Sequence, residues 1–394
     1  MISPGLALLL AGMLALLAGC GGDGPEAGSA PDRDSLETVE HGGLDTSRTW
    51  VFGANPVADV GGDEALVQVA GAVRLGDRIV VADAGAYQLR FYDLTGKLLR
   101  ATGREGNGPG EFRHLAWAGP LPGDSVGAWD ARLRRLSVYS RDGQLGRTAE
   151  FGIKGFFPAV QGVFADGSLL IAAQVGAARA PGAGAWRDTA VFVRMLSTGE
   201  AHDTVGRFRG PEQYAAPGGV RTAGRTYGLP FGRETFAAVH HDRAFVATGD
   251  GYEITAYDTS GRGLSRLRVR FEPRPVTPSE ISAYRAELLE NVGTSDAAEW
   301  TQALEAAPYP RQMPALAGLV ASSEGHVWVR DYHPPGAPER ESRWAVFDAE
   351  WKPAAVVRGP TRFQIFQIGV DWVLGREVDA DGAEHVRIYP LVRP

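Results

Sequence analysis

The sequence predicts an all-β fold: a six-bladed β-propeller of four-stranded antiparallel blades, closed by an N-terminal strand, with a small helical insertion between blades four and five. Three observations carry this reading. The first is a recurring phrase: Tyr92-Asp93-Leu94-Thr95-Gly96, Tyr139-Ser140-Arg141-Asp142-Gly143 and Tyr257-Asp258-Thr259-Ser260-Gly261, with looser copies at Met195–Gly199 and Phe347–Trp351. Asp83, Asp130 and Thr248 each stand nine residues ahead of the tyrosine, and Asp83 to Asp130, Tyr92 to Tyr139 and Gly96 to Gly143 are all shifts of 47 residues. A fixed period of roughly 40–50 residues marks stacked or radial units. The second observation is that each period holds short apolar runs separated by turn residues, as in a meander. The third is a spare strand at one end of the repeats and a missing strand at the other.

The first unit shows the pattern. Val67–Leu75 ends in the turn Gly76-Asp77, Arg78–Asp83 is rich in β-branched residues, Gln88–Tyr92 alternates apolar and polar, and Lys97–Thr102 follows a turn with Gly where positive φ is easiest. The second unit reads Leu115–Gly119, Ser125–Asp130, Arg135–Tyr139 and Gly143–Phe151. The third reads Ala159–Ala165, Leu169–Gln174 and Ala190–Leu196, followed by a long loop over 200–235. The fourth and fifth are Phe236–His240, Ala244–Thr248, Tyr252–Tyr257, Leu264–Phe271, then Ala315–Val320, His326–Asp331, Trp344–Phe347, Ala354–Arg358. The last has only Arg362–Ile368, Trp372–Arg376 and His385–Tyr389, so Asn55–Gly61 is expected to supply its fourth strand and close the ring, which removes exposed sheet edges. Trp117, Trp129, Trp328 and Trp344 are expected to pack between blades. Between blades four and five, Pro278–Glu290 places Ile281, Tyr284, Leu288 and Leu289 on one helical face behind Thr277 or Ser279 as N-cap, and Asp296–Ala307 reads as a second helix. The insertion spans about 277–307.

Residues 6–18 are an unbroken run of Leu, Ala, Gly and Met, too short for a lone membrane span and suited to a signal peptide over 1–19. It ends in Leu17-Ala18-Gly19-Cys20, which resembles a bacterial lipobox, and Cys20 is the single cysteine. The resemblance implies lipidation of Cys20, a cell-envelope location on the periplasmic side or the cell surface, and, with Gly21 rather than Asp next, the outer membrane of a two-membrane organism. Residues 20–47, rich in Gly, Pro and acidic groups, read as a flexible tether to a folded body over 48–394. One cysteine excludes disulfides and cysteine-based zinc sites. A net charge of −7 argues against a nucleic-acid face.

Gly103-Arg104-Glu105-Gly106-Asn107-Gly108-Pro109-Gly110-Glu111-Phe112 resembles the linker of NHL-type and TolB-like bacterial six-bladed propellers, where such a phrase joins an outer strand to the next inner strand. The Val-Ala-Asp and Phe-Tyr-Asp-x-x-Gly phrases and Tyr309–Val329 fit the same pattern. The chain departs at Arg113-His114-Leu115, where those families commonly carry a proline. The resemblance is specific for fold and poor for activity. Gly106–Gly110 lacks the following helix and Lys of a phosphate loop and reads as a turn.

The eight histidines form no zinc-spaced pair, and His240-His241 are expected on opposite faces of a strand. Propellers take ligands at the channel mouth, near the start of each inner strand. The candidates there are Arg113, His114, Arg233, Glu234, Arg311, Gln312 and Arg362, with Tyr227 from the 200–235 loop. Their arginines suit a carboxylate. The expected role is a lipid-anchored binding or scaffold module for an envelope protein, peptide or glycan, acting as a monomer without catalytic residues, metal or cofactor. The alternative is a metal-dependent propeller hydrolase or lyase of the gluconolactonase-like kind with a site in the central channel. Such sites use Glu, Asn and Asp, and the three asparagines here, Asn55, Asn107 and Asn291, start no inner strand.

Overall fold

A computed structural model describes residues 36–44, 48–61, 65–176, 184–216, 225–292, 296–334, 341–360 and 362–393, and the chain is mostly β. Cys20 and the expected signal peptide over 1–19 lie outside the described residues, as does most of the 20–47 tether. Among the described residues no helix is long and apolar enough to cross a membrane.

The recurring phrase makes the turn between the third and fourth strands of each meander. Asp93 Oδ1 accepts from the backbone N–H of Thr95 at 2.9 Å and of Lys97 at 3.1 Å, and Asp258 Oδ1 does the same for Ser260 and Arg262 at 2.9 and 3.0 Å. The next glycine sits at positive φ, +88° at Gly96 and +87° at Gly261, where side chains are strained. The loose copy has Trp351 there at φ +63°. Its strain is offset by burial: Trp351 is 2 % exposed, meets Phe245 edge-on at 5.7 Å and donates Nε1–H to Ser265 Oγ at 2.8 Å. A further copy, Asp379–Gly382, uses the same bonds to Asp381 and Ala383.

The strands form four-stranded antiparallel meanders of the β-propeller kind. The first sheet runs Val69–Leu75, Arg78–Asp83, Gln88–Asp93, Leu98–Thr102, and the second Leu115–Leu121, Ser125–Asp130, Arg135–Ser140, Leu145–Glu150. The third sheet is Phe156–Val163, Leu169–Val175, Trp186–Met195 and Ala201–Ala216, extended by Arg225–Gly228. The fourth is Phe236–His240, Arg243–Ala247, Glu253–Asp258 and Gly263–Val269. A nine-stranded sheet holds the meander Leu316–Ala321, Val327–Asp331, Glu341–Phe347, Pro353–Pro360 and the C-terminal meander Phe363–Ile368, Trp372–Val378, Glu384–Val392, with Thr49–Phe52 between them. Ala58–Val60 pairs antiparallel with Glu384–Val392, so Val60 faces Val386, and the N-terminal strand completes the C-terminal meander.

Apolar layers join neighbouring sheets. Val80 and Leu89 meet Leu115 and Val126; Trp129 and Leu136 meet Leu169 and Ile171; Phe164 and Phe192 meet Ala244 and Val246. Phe245 and Ile254 meet Val327 and Phe347, Trp328 and Val346 meet Phe363 and Val373, and Leu374 and Val386 meet Val69 and Ile79. Each buried side chain of this size stabilises by roughly 1.5–3 kcal/mol. Trp129, Trp328 and Trp344 are buried in these layers and Trp117 packs against one.

Two expectations are corrected. Residues 38–41 are not part of a tether: Thr38–His41 pairs parallel with Gly263–Val269, Val39 and Leu44 pack against the apolar layer, and His41 Nε2 bonds Trp351 O at 2.8 Å. An unpaired outer strand edge offers free N–H and C=O groups, and this segment takes them up. Residues 201–216 are not a loop but one long strand, turned back on itself by Arg225–Gly228. The Gly-Pro-Gly-Glu-Phe linker is a structural turn. Arg135 donates to the carbonyls of Asn107 at 2.7 Å, Gly108 at 2.8 Å and Glu111 at 2.5 Å, and Glu111 Oε2 accepts from Gly108 N at 2.8 Å.

Candidate functional site

The helical insertion is α1, Pro278–Asn291, and α2, Ala297–Ala306. Thr277 caps α1 in a capping box with Glu280, whose carboxylate accepts the Thr277 N–H at 2.8 Å. The two helices pack on the hairpin of the third sheet. Tyr214 Oη donates to Ala303 O at 2.9 Å and Tyr227 Oη to Glu299 Oε1 at 2.6 Å, while Phe231, Tyr284, Leu288, Leu304 and Met313 form a second small core. After α2 the chain returns beside its own point of departure: Val276 N donates to Arg311 O at 3.0 Å and Met313 N to Arg274 O at 2.8 Å.

This return opens a cleft of about 460 Å³ between the fourth sheet and the start of strand Leu316–Ala321. One wall is the turn Gly249–Glu253; another is the strand end Arg268–Pro273; the third is Pro310–Ala315. Gly249 is required at its place. Its φ is +70°, and a Cβ there would lie 2.6 Å from the Glu234 carbonyl oxygen.

The polar wall is crowded with guanidinium groups. Arg233 binds the buried Glu212 through its backbone N–H at 2.7 Å and Nε at 3.0 Å, which raises the Arg233 pKa. Asp250 Oδ1 accepts from Arg187 at 3.0 Å and Arg233 at 3.2 Å, with Arg209 at 3.6 Å. Arg268 donates to Glu253 Oε2 at 3.0 and 3.1 Å and to Glu40 at 3.1 Å. Arg311 is exposed, and its guanidinium has no hydrogen bond or ion pair among the described residues. Val269, Met313 and Ala315 form an apolar floor with Phe271, Pro273 and Pro310 beside it.

The expected site residues separate into groups. Arg233, Arg311 and Gln312 line the cleft together. Glu234 adjoins it but reaches towards Arg187, Tyr284 and Tyr332; burial pushes its carboxyl up to about 7, partly opposed by Arg187, although the residue keeps some surface open to solvent. Arg113 is held in the linker by Glu105 at 2.9 Å and Asn107 at 3.0 Å, while His114 is exposed and gives its backbone N–H to Asp130. Arg362 is exposed ahead of strand Phe363–Ile368 and lines no part of the cleft. Tyr227 is 4 % exposed, stacked on Tyr214 at 5.7 Å, and belongs to the core under α2 rather than to a ligand face. Asp250, Glu253 and Arg268 escaped the sequence reading because they lie on a turn and an outer strand end rather than before an inner strand.

The His240 and His241 rings lie 4.3 Å apart rather than on opposite faces, because His241 leaves the strand at φ +52°. Among the described residues no three His, Asp or Glu side chains are gathered to hold a metal ion.

No family model and no curated protein matches this chain. Solved structures do. A member of the DUF4221 family from Bacteroides vulgatus aligns with TM-score 0.51 and 9 % identity over 88 % of this chain and 99 % of its own. That likeness shows a shared fold. A conjectured exported protein from Bacteroides fragilis aligns with TM-score 0.44 and 12 % identity over 89 % and 98 % of the two chains. A catalytically inactive virginiamycin B lyase from Staphylococcus aureus aligns with TM-score 0.42 and 9 % identity over 84 % and 87 %.

Proposed function

We propose that this chain is a six-bladed β-propeller closed by Ala58–Val60, anchored outside the cytoplasm through a lipidated Cys20, and that it works as a binding module for a peptide or protein segment. Closure is supported by the apolar layer that Val60, Val386 and Leu374 share with Val69 and Ile79 at the two ends of the repeats. Val60 is 1 % exposed and Val57 62 % exposed. Val60→Asp places an unpaired carboxylate in that layer and is expected to cost about 3 kcal/mol or more, while Val57→Asp is nearly neutral. Protease should then attack the C-terminal meander of the first variant only; equal resistance of the two would count against closure. Release of a Cys20→Ser chain from the membrane fraction tests the anchor.

The observation that carries the binding role is the cleft beside the helical insertion, lined by apolar residues and by Arg311, whose guanidinium has no partner among the described residues. Insertions between blades gather on one face, and concave sites with a few placed polar groups suit ligands. A photo-reactive amino acid at Gln312, in cells carrying the full chain, is expected to give a discrete adduct. The same residue at Thr95, in an outer turn of the first sheet, is expected to give none. No adduct at Gln312, or the same adducts at both places, would refute the reading.

A further inference from the structure

We propose that the cleft is a carboxylate clamp, in which Arg311, beside the supporting charge of Arg233, receives the carboxylate of a peptide ligand and Phe271, Pro273, Pro310 and Met313 receive the side chain next to it. The inference rests on the binding-module reading above and narrows it to a ligand class.

The charges of the wall do not balance. Arg187, Arg209 and Arg233 crowd around Asp250 and Glu212, with the buried Glu234 carboxyl also facing Arg187. Arg266 and Arg268 are matched by Glu253 and Glu40. Arg311 adds a guanidinium that has no carboxylate partner among the described residues. The wall therefore carries an excess of positive charge, and its own acids are already shared. An incoming cation meets repulsion there, and a neutral sugar leaves the guanidinium unmatched. A carboxylate restores the balance, and the planar fork of a guanidinium accepts it through two parallel N–H···O bonds. The geometry limits the rest of the ligand. The Arg311 backbone carbonyl accepts from Val276 N at 3.0 Å, Pro310 and Met313 line the cleft beside it, and the volume of about 460 Å³ limits the bound part of the ligand to a short segment. Arg233 already donates through Nε and Nη2 to Glu212 and through Nη1 to Asp250, which fixes its orientation, and with 42 % of its side chain exposed it supports the charge of the site while Arg311 supplies the open fork.

Two sources offer this chemistry, a peptide C-terminus and an acidic side chain. The test uses the full chain in detergent and a degenerate hexapeptide pool, prepared once with free C-terminal carboxylates and once as C-terminal amides. Bound peptides are recovered and quantified by mass spectrometry. The expected result is at least about tenfold enrichment from the free-acid pool over the amide pool. Arg311→Gln should erase that difference, and Arg311→Lys should restore part of it. Recovery of Asp- or Glu-containing amides, again lost in Arg311→Gln, supports the clamp with a side chain as its source. Enrichment that ignores both the carboxylate and Arg311, or no recovery from either pool, overturns it. If Gln312 still gives its adduct in cells, the clamp falls while the binding role stands.

Discussion

Glu234→Gln is expected to make the protein more stable at pH 8 and to leave it nearly unchanged at pH 4. Glu234 stands two residues ahead of strand Phe236–His240, and burial among Tyr284, Tyr332 and neighbouring backbone pushes its carboxyl up to about 7 from an ordinary 4.5. Arg187 pulls the other way and loses. A raised carboxyl binds its proton more tightly in the folded chain than in the unfolded one. Its contribution is therefore fully present below about pH 4.5 and is lost as the pH rises through about 7. The neutral amide removes that loss. Because the residue keeps some contact with solvent, the gain is of the order of 1–3 kcal/mol, less than the whole shift implies. Thermal unfolding of both proteins at pH 4, 6 and 8 measures it. Parallel curves for the two across this range would mean that the Glu234 carboxyl ionises freely in the folded state.

Local chemistry was legible in the sequence and long-range chemistry was not. The turns at Gly96, Gly143 and Gly261 were readable because an Asp or Ser and a positive-φ Gly act within five residues. The capping box at Thr277 was readable for the same reason. Strand Ala201–Ala216 was hidden because its pairing with Trp186–Met195 slips register at three places, which breaks the two-residue alternation, and because Gly206, Gly210 and Pro211 look like loop residues. The pairing of Thr38–His41 depends on an outer edge at Gly263–Val269, more than two hundred residues away. Arg233, Arg311 and Gln312 line one cleft, and the sequence could group them because each precedes an inner strand, a position the repeat defines. Tyr227 was misjudged because its burial is made by Glu299 and Trp300 of α2, a contact with no local signal.

The aspartate nine residues ahead of Tyr92 and Tyr139, a place that Thr248 takes ahead of Tyr257, is expected to be the most sensitive position of the framework, and Asp130→Ala the most damaging single change at it. Asp130 is 1 % exposed and accepts four backbone N–H groups: Arg113 at 2.6 Å, His114 at 3.0 Å, Arg132 at 2.9 Å and Leu133 at 2.7 Å. It thereby ties the linker from the preceding sheet to the turn at the end of its own strand. Asp83 does the same with fewer bonds, to Val67 at 3.1 Å and Ala86 at 3.3 Å, with Arg90 at 3.0 Å on its other oxygen. Asp331 holds the equivalent place, paired with Leu316 as Asp130 is with Leu115. There the linker brings Pro314, which has no N–H, and Asp331 turns to Arg343 instead. Alanine at 130 strands four amides, each worth about 1–3 kcal/mol where water cannot reach; water reaches the exposed His114 and Arg132, so the expected loss is lower than the full sum, about 3–6 kcal/mol. That is a large share of the roughly 5–15 kcal/mol that holds a domain folded. Alanine at 331 strands no amide and frees a partly exposed guanidinium, so about 1 kcal/mol is expected. Asn at 130 keeps one acceptor oxygen and should fall between them. Urea melts of the three variants decide the matter: if the alanines at 130 and 331 cost the same, the repeat conserves a charge and not a backbone clasp.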